Sequence, residues 1–303
     1  MKALAALALT ALFVPAGYAQ ETETPQPPAP FVSVEGLDAG IALPFEMGGP
    51  WIVVPGVTVN GTGPYVFQFD TGAQGGGRAD ITLVDALSLE QTGEIQAGDG
   101  SGREGPSLPL YTLDTISAGG ATWNDVSVLS RDYNPPPAVA ARGQAVSCIL
   151  GMGLFADQTL TIDYPGLEMR VSSEPLDPGG AHTAALIPSP IPTFDVTVNG
   201  AIWQARVDSG SQGGITLGGD VAANVAFVEE PVVFAQGRTV TGSFDIMRAT
   251  LDGRIEIAGT VLENPEVVIV APFTGVNLGG QFLRGYVVDI DQPNGLIRLT
   301  PAE

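Results

Sequence analysis

Two short acidic motifs recur in this chain of 303 residues, and they contain the side chains best suited to catalysis. The first is Asp70-Thr71-Gly72 and the second is Asp208-Ser209-Gly210. A single Asp at the end of an apolar strand has a structural explanation, because its side chain can cap its own backbone in a turn. Two copies at matching positions favour catalysis, since a two-fold arrangement can bring both carboxylates to one axis.

Paired carboxylates can serve as a base and an acid at the same time. Two carboxyl groups a few ångströms apart cannot both ionise, so one of them keeps a proton. The ionised group can then take a proton from water, while the protonated group polarises the carbonyl that the water attacks. We therefore expect Asp70 and Asp208 to be the catalytic pair. The glycine that follows each Thr or Ser lets the backbone approach and donate N–H bonds to the carboxylates.

The elements that must position the two acids also occur twice. The segment Val57-Thr58-Val59-Asn60-Gly61 recurs as Val196-Thr197-Val198-Asn199-Gly200, and each Asn-Gly predicts a hairpin turn between alternating apolar residues. The strand that returns from each turn leads into the acid. Further along, Ile149-Leu150-Gly151 corresponds to Asn277-Leu278-Gly279. Two copies of one β unit predict a pseudo-symmetric pair, since solenoids need three or more repeats.

Composition excludes several other classes of protein. The 40 Gly and 25 Pro rule out long helices and helical solenoids, and a hydrophobic fraction of 44% supplies a core. A formal net charge of −21 disfavours a nucleic-acid partner and binding to anionic membranes. The single His cannot build a zinc site or a Ser-His triad, so we expect no metal and no cofactor. Cys148 lies among apolar residues, which predicts a small buried hydrophobic side chain.

The doubled motif, the apolar strand before it and the apolar-apolar-Gly segment after it resemble the aspartic proteases of the pepsin and retropepsin clan. In motif style the chain is most similar to bacterial retropepsin-like proteins, and the resemblance extends over residues 31–303. It implies an all-β fold of two pseudo-symmetric β-barrel lobes with an active-site cleft between them. It also implies that Asp70 and Asp208 are catalytic, and that Thr71 and Ser209 tie the two motif loops together. The residues expected to support these loops are Thr71, Gly72, Ser209, Gly210 and Ser211.

Ser211 follows the second acid by three positions, where the first copy has Ala73. A hydroxyl there could donate a hydrogen bond to the carboxylate of its own motif, which would lower the pKa of Asp208. We therefore expect Asp208 to be the ionised partner and Asp70 the protonated one. The alternative is that Ser211 faces solvent or caps the next turn.

Two Gly-rich segments are candidates for mobile hairpins over the cleft, as in retropepsins. The substrate-binding candidates in the first segment are Gly98, Asp99, Gly100 and Ser101, and those in the second are Gly237 and Arg238. Gly-rich surface loops are also common without such a role. The chain departs from the family pattern where glycines precede Arg78, which puts the rigidity of the first motif loop in question. A second departure is Asn277, which stands where the pattern has an apolar residue.

Composition and motifs divide the chain into five segments. Residues 1–19 have the charged start, the apolar run and the small residues of a signal peptide, and residues 20–30 form a Pro-rich spacer. An N-terminal protease lobe is predicted over 31–172, a linker over 173–190 and a C-terminal lobe over 191–303. We expect an exported monomer, periplasmic or extracellular, that acts on a peptide or protein substrate without nucleic-acid or membrane partners.

These observations favour an exported aspartic endopeptidase. The alternative is a catalytically silent protein of the same fold that captures a peptide or protein partner in the cleft between the lobes. A third interpretation is a structural tandem β domain of a cell envelope. The presence of both acids favours the enzyme.

Overall fold

The computed structural model describes residues 29–37, 40–96, 105–239 and 242–302. Strands dominate this part of the chain, so the all-β fold predicted from the sequence is confirmed. The predicted signal peptide and most of the predicted spacer lie outside the described residues. None of the helices in the described ranges is long and apolar enough to cross a membrane.

The described strands divide between the two copies of the repeat. The first copy contributes β1 (Ser33–Glu35), β2 (Ile41–Pro44), β3 (Glu46–Gly48), β4 (Trp51–Val59), β5 (Thr62–Asp70), β6 (Gly77–Asp80), β7 (Gly93–Gln96), β8 (Ser107–Ala118), β9 (Ala121–Arg131), β10 (Cys148–Gly151), β11 (Thr159–Asp163) and β12 (Glu168–Ser172). The second contributes β13 (Thr183–Ile187), β14 (Thr193–Val198), β15 (Ala201–Asp208), β16 (Ile215–Gly218), β17 (Val232–Thr239), β18 (Gly242–Thr250), β19 (Arg254–Ile257), β20 (Thr260–Glu263), β21 (Glu266–Val270), β22 (Val276–Gly279), β23 (Tyr286–Asp291) and β24 (Leu296–Pro301). The short helices are α1 (Ile81–Leu87), α2 (Pro136–Arg142), α3 (Gly219–Ala222) and α4 (Gly280–Leu283), with a 3-10 turn at Met152–Phe155.

The first sheet contains only strands of the first copy. Its order is β1-β9-β6-β10-β5-β4-β8-β7, and β3 pairs with β4. Along β5, Phe67 and Phe69 are fully buried in the main core, and successive side chains of a strand point to opposite faces. Gln68 and Asp70 therefore lie on the face of the sheet that points away from this core.

The second sheet contains strands of both copies. One end of it runs β2-β12-β11-β23-β24-β13, so three strands of the first copy are followed by three of the second. At the junction β11 and β23 are antiparallel, and the Thr161 hydroxyl donates to Asp289 at 2.6 Å. The sequence predicts two lobes, and this sheet joins strands from both of them. Pairing β11 with β23 covers two strand edges that would otherwise be open.

The strand pairing around the two motifs is the same in both copies. Strand β10 is parallel to β5 and antiparallel to β6, and β22 is parallel to β15 and antiparallel to β16. Each acid is therefore carried by a strand in an equivalent topological position.

The segment 173–190, predicted as a linker, contains the strand β13. Its first three residues pair with β24 and its last two with β14. The connection between the copies is therefore shorter than the sequence indicated. The Pro and Gly residues on both sides of β13 obscured a five-residue strand, one of whose partners, β24, is distant in the sequence.

Candidate active site

Each acid stands at the end of a strand, level with a glycine of the neighbouring strand. Asp70 is opposite Gly151 of β10, and Asp208 is opposite Gly279 of β22. The loop that follows each acid folds back over this glycine, and a Cβ on either glycine would lie within 3.1 Å of loop atoms. A side chain there would collide with the loop, which explains why the apolar-apolar-Gly segment occurs in both copies.

Backbone hydrogen bonds hold the Gly-rich loop after the first acid. The Gly151 N–H donates to the Gly76 carbonyl and the Gly153 N–H to the Gly75 carbonyl, both at 3.1 Å. A Cβ on Gly76 would lie 2.7 Å from the Ser127 carbonyl oxygen, closer than real Cβ atoms approach. The inserted glycines therefore belong to an anchored loop, because only glycine fits where the backbones crowd together.

Thr71 and Ser209 join the two motifs by reciprocal hydrogen bonds. The Thr71 N–H donates to Ser209 Oγ at 3.0 Å, and the Ser209 N–H donates to Thr71 Oγ1 at 2.9 Å. The Thr71 hydroxyl donates in turn to the Val207 carbonyl at 2.7 Å. Both side chains are fully buried, so this network fixes one motif loop against the other.

The two carboxyl groups face each other across this network. A Cβ on Gly72 would lie 2.6 Å from Asp208 Oδ1 and 3.1 Å from Asp70 Oδ1, so those oxygens are separated by at most the sum of these distances. The Gly72 N–H donates to Asp70 Oδ1 at 2.7 Å, and the Gly210 N–H from the other motif donates to the same oxygen at 3.1 Å. The glycines predicted to support the loops thus leave room for the carboxyl groups and donate to one of them.

Burial raises the pKa of both acids, but their surroundings differ. For Asp208, burial and then the negative charge of Asp70 raise the pKa to about 7. Burial also raises the pKa of Asp70, while the positive charge of Arg78 and the N–H groups of Gly72 and Gly210 act in the opposite direction. The pair therefore favours an ionised Asp70 beside a protonated Asp208.

This distribution of charge is the reverse of the one expected from Ser211. The backbone N–H of Ser211 donates to Asp208 Oδ1 at 3.0 Å, and within the described ranges its hydroxyl makes no hydrogen bond to that carboxyl group. A backbone donor does not depend on the side chain, so the difference between Ser211 and Ala73 does not decide which acid is charged. Backbone N–H groups lower the pKa of both acids, so the charge of Arg78, which acts on Asp70, is what distinguishes them.

Trp51 connects the first copy to the second motif, and the sequence analysis gave it no such role. Its indole N–H donates to the Gly210 carbonyl at 2.7 Å, across 159 positions of sequence. The Gly210 carbonyl belongs to the same planar peptide unit as the Ser211 N–H, which donates to Asp208 Oδ1. Trp51 therefore helps to orient a backbone donor of the acid pair. No local pattern around Trp51 could have revealed this contact, since it depends on how the two copies pack.

Arg142 holds Trp51 in place. Its guanidinium lies 5.8 Å from the centre of the Trp51 ring, within the range of a cation–π contact. The same group donates to the Tyr133 carbonyl at 2.9 Å and to Asn134 Oδ1 at 2.8 Å. Arg142 is only 6% exposed, so its hydrogen-bonding capacity is largely satisfied within the protein.

Asn277, a departure from the family pattern, acts on the second acid. It stands two residues before Gly279 on β22, where the first copy has Ile149. A hydrogen bond from its side chain lowers the pKa of Asp208, although burial has the larger effect. The sequence identified Asn277 as unusual but did not predict its contact with the acid.

The proposed flap residues are only partly within the described structure. Gly98, Asp99, Gly100 and Ser101 lie outside the described residues, which end at the paired strands β7 and β8 on either side. Gly237 and Arg238 lie in β17, where they pair with Phe244 and Ser243 of β18. The second segment thus forms a hairpin, and its role over the acids stays a prediction.

The comparison with protein families agrees with this geometry. Residues 56–154 match the family model described as aspartyl protease. The matched segment contains the first acid, its loop and the Ile149-Leu150-Gly151 segment. The match supports a protease-type function for the chain. No curated protein matches the chain significantly.

Proposed function

We propose that the chain is an exported aspartic endopeptidase that hydrolyses peptide bonds with water activated by Asp70 and Asp208. The observation that carries this proposal is the pair of facing carboxyl groups held by the reciprocal Thr71–Ser209 hydrogen bonds. A turn-capping role would not require the two acids to meet. It would also leave the raised pKa of Asp208 without a use.

The reaction begins with a water molecule between the two acids. Asp70, ionised, takes a proton from the water as its oxygen bonds to the peptide carbonyl carbon, and Asp208 gives its proton to the carbonyl oxygen. In the second step Asp70 gives its proton to the peptide nitrogen as the C–N bond breaks. Asp208 recovers a proton from one hydroxyl of the tetrahedral intermediate, which becomes the new carboxyl group. Both acids return to their starting states.

This mechanism predicts activity that extends towards neutral pH. Asp208 must be protonated, and its pKa of about 7 keeps it so over most of the acidic range. We expect the rate to fall as the pH rises through about 7 and Asp208 loses its proton. At low pH the rate should fall as Asp70 becomes protonated.

Cleavage of an unfolded protein from pH 3 to 8 tests the proposal. The wild-type chain should cleave the substrate, and a statine-containing peptide should inhibit it because its hydroxyl resembles the tetrahedral intermediate. Asp70→Asn and Asp208→Asn should each abolish turnover. Asp195→Asn is the matched control, since Asp195 is an exposed residue of β14 and should be dispensable.

If the wild-type chain cleaved the substrate at none of these pH values, the proposal would be contradicted. If the statine-containing peptide still bound under those conditions, the alternative of a peptide-binding protein of the same fold would replace it. Export is a separate part of the proposal. Mass measurement of the mature protein from the culture medium or periplasm should show loss of residues 1–19.

A further inference from the structure

Arg78 lies on the same sheet face as the first catalytic acid. It is level with Ile149 of β10, which is itself level with Gln68 of β5. Residues opposite each other in paired strands share a face, and Asp70 is two residues beyond Gln68 on the same strand. Arg78 and Asp70 therefore project from one face, the one that points away from the main core.

The separation of the two residues suits a group that contacts the substrate beside the scissile bond. Arg78 lies on β6, which is two strands away from β5. It is level with Gln68, two residues before Asp70 along the strand direction. A strand spacing of about 4.8 Å and a rise of about 3.3 Å per residue place the two Cα atoms about 12 Å apart. The long side chain of Arg78 spans part of this distance, and its charge reaches Asp70 strongly enough to oppose the effect of burial on the pKa of that acid.

One nitrogen of the Arg78 guanidinium, Nη1, is buried and has no hydrogen-bond partner among the described residues. Arg142, in the same part of the fold, differs from Arg78 because its guanidinium donates to several acceptors. A buried cationic nitrogen without an acceptor is costly, so Arg78 is poised for a group that arrives from outside.

The carboxylate nearest to Arg78 in the sequence does not accept a hydrogen bond from its guanidinium. Asp80 follows Arg78 by two residues, but its Oδ1 accepts from the Thr82 N–H at 3.0 Å and its Oδ2 from the Tyr133 N–H at 2.8 Å. The ion pairs in the described ranges involve Arg170 and Arg298 and not Arg78.

A second arginine lies beside the same small cluster. Arg131 is exposed and stacks on the ring of Tyr133 at 4.8 Å. Tyr133 packs in turn with Ala73 of the first motif loop and with Ile149. Burial raises the pKa of Tyr133, and both Arg78 and Arg131 act against that rise, so both cations are close to its hydroxyl. Two cations that form no ion pair with the described residues thus adjoin the loop that follows Asp70.

We propose that Arg78 and Arg131 form a subsite for an acidic substrate side chain, so that the enzyme prefers peptides with Glu or Asp close to the scissile bond. The inference rests on the proposed function. A carboxylate can accept two parallel N–H bonds from a guanidinium, which matches the unfilled donor of Arg78. The subsite also explains how a chain of net charge −21 could bind an acidic peptide, since the local charge is positive.

The pH range in which the substrate carboxylate is charged overlaps the range in which Asp208 is protonated. A glutamate side chain is ionised above its usual pKa of about 4.3. Asp208 stays protonated up to about pH 7. Between about pH 5 and 7, the substrate carboxylate is charged while Asp208 still holds its proton.

Matched peptides that differ only in Glu or Gln at one position test the subsite. Each position from three before to three after the scissile bond is varied in turn at pH 6, and kcat/KM is compared within each pair. At one position the Glu peptide should be preferred about tenfold to a hundredfold, as expected for a charge-assisted hydrogen bond. In Arg78→Gln this ratio should fall to near one, and Arg78→Lys should restore part of it.

Two further variants keep the test decisive even if the Arg78→Gln variant does not fold. Arg131→Gln changes an exposed residue and should lower the Glu/Gln ratio at the same position. Arg254→Gln removes the same charge from an exposed position of β19 and should leave the ratio unchanged. A wild-type ratio near one at every position would overturn the inference. So would a preference that survives both Arg78→Gln and Arg131→Gln.

Binding separates this inference from the proposed function. Calorimetry with two peptides that carry a reduced, uncleavable bond, one with Glu and one with Gln, reports the subsite without turnover. If the chain cleaves nothing but binds the Glu peptide more tightly through Arg78, the protease proposal fails and the subsite stands. If it cleaves both peptides and binds them equally, the subsite fails and the protease proposal stands.

Discussion

The raised pKa of Asp208 makes the stability of the protein depend on pH. The pKa of Asp208 is about 7 in the folded protein, whereas an Asp carboxyl group ordinarily has a pKa of 3.8. Folding therefore favours the protonated form. Stability from this group is fully present below about pH 4, and it is lost as the pH rises from there towards 7. Each pH unit in this window costs about 1.4 kcal/mol, so the full effect is about 4 kcal/mol. Partial exposure of Asp208 screens the charge, and we therefore expect a loss of about 2 to 4 kcal/mol.

Asp208→Asn removes this dependence, because an amide has no charge at any pH. The variant should resemble the wild type in stability at pH 4 and exceed it at pH 7 by most of those 2 to 4 kcal/mol. The gain should accompany a complete loss of turnover. Such an exchange of activity for stability is expected when an active site holds a buried charge.

Urea unfolding at pH 4, 5, 6 and 7, monitored by tryptophan fluorescence, measures how the free energy of unfolding depends on pH. Asp195→Asn is the control and should follow the wild-type curve, since Asp195 is exposed on β14. Parallel curves for the wild type and Asp208→Asn over the whole range would refute the reasoning, because they would mean that Asp208 titrates alike in the folded and unfolded chains.

Three other predictions follow from single contacts. Trp51→Phe removes the donor to the Gly210 carbonyl and should cost about 1 to 3 kcal/mol in urea unfolding, with kcat reduced at least tenfold because the peptide unit whose N–H donates to Asp208 is less well oriented. Ser211→Ala should leave the alkaline limb of the pH–rate profile, which reports Asp208, unchanged, since the Ser211 backbone N–H, not its hydroxyl, donates to Asp208. Cys148 is 1% exposed and burial raises its pKa to about 12, so an aromatic disulfide reagent should modify it only after unfolding, as absorbance at pH 8 would record.

The sequence predicts those parts of the site that depend on local pattern and repetition. The two acids and their glycines could be identified because each lies at a fixed offset from a hairpin and an apolar strand that occur twice, whereas the link between Thr71 and Ser209 was implied by the resemblance to aspartic proteases. The anchoring of the Gly-rich loop could not, since it depends on Gly76 meeting the backbone of β9 at Ser127. Trp51 was missed for the same reason, because its partner lies 159 positions away.

The fold was predictable in class and less so in its boundaries. Asn-Gly turns and alternating apolar residues predict strands, and these are local signals. The pairing of β11 with β23 joins the copies across more than a hundred residues, and no spacing rule specifies that two lobes share a sheet. The strand β13 shows the same limit, since its neighbours in the sequence are rich in Pro and Gly but its partners are the distant strand β24 and the strand β14.

Some of the positions at which the two copies differ lie beside the acid pair. The repeat places Asn277 where the first copy has Ile149, and the Val57 and Val196 segments align Trp51 with Pro190. Only one copy, therefore, supplies an indole that reaches the opposite motif, and only the other supplies an amide side chain beside its acid.

Two identical halves would place identical surroundings on both carboxyl groups, and neither acid would be preferred for the proton. In this chain the first half adds a cation, Arg78, whose charge lowers the pKa of Asp70, whereas the charge of Asp70 raises the pKa of Asp208. These charges favour the proton on Asp208. The proposed mechanism needs one base and one acid at the same moment, and under that proposal the divergence of the two copies would assign those roles before any substrate binds.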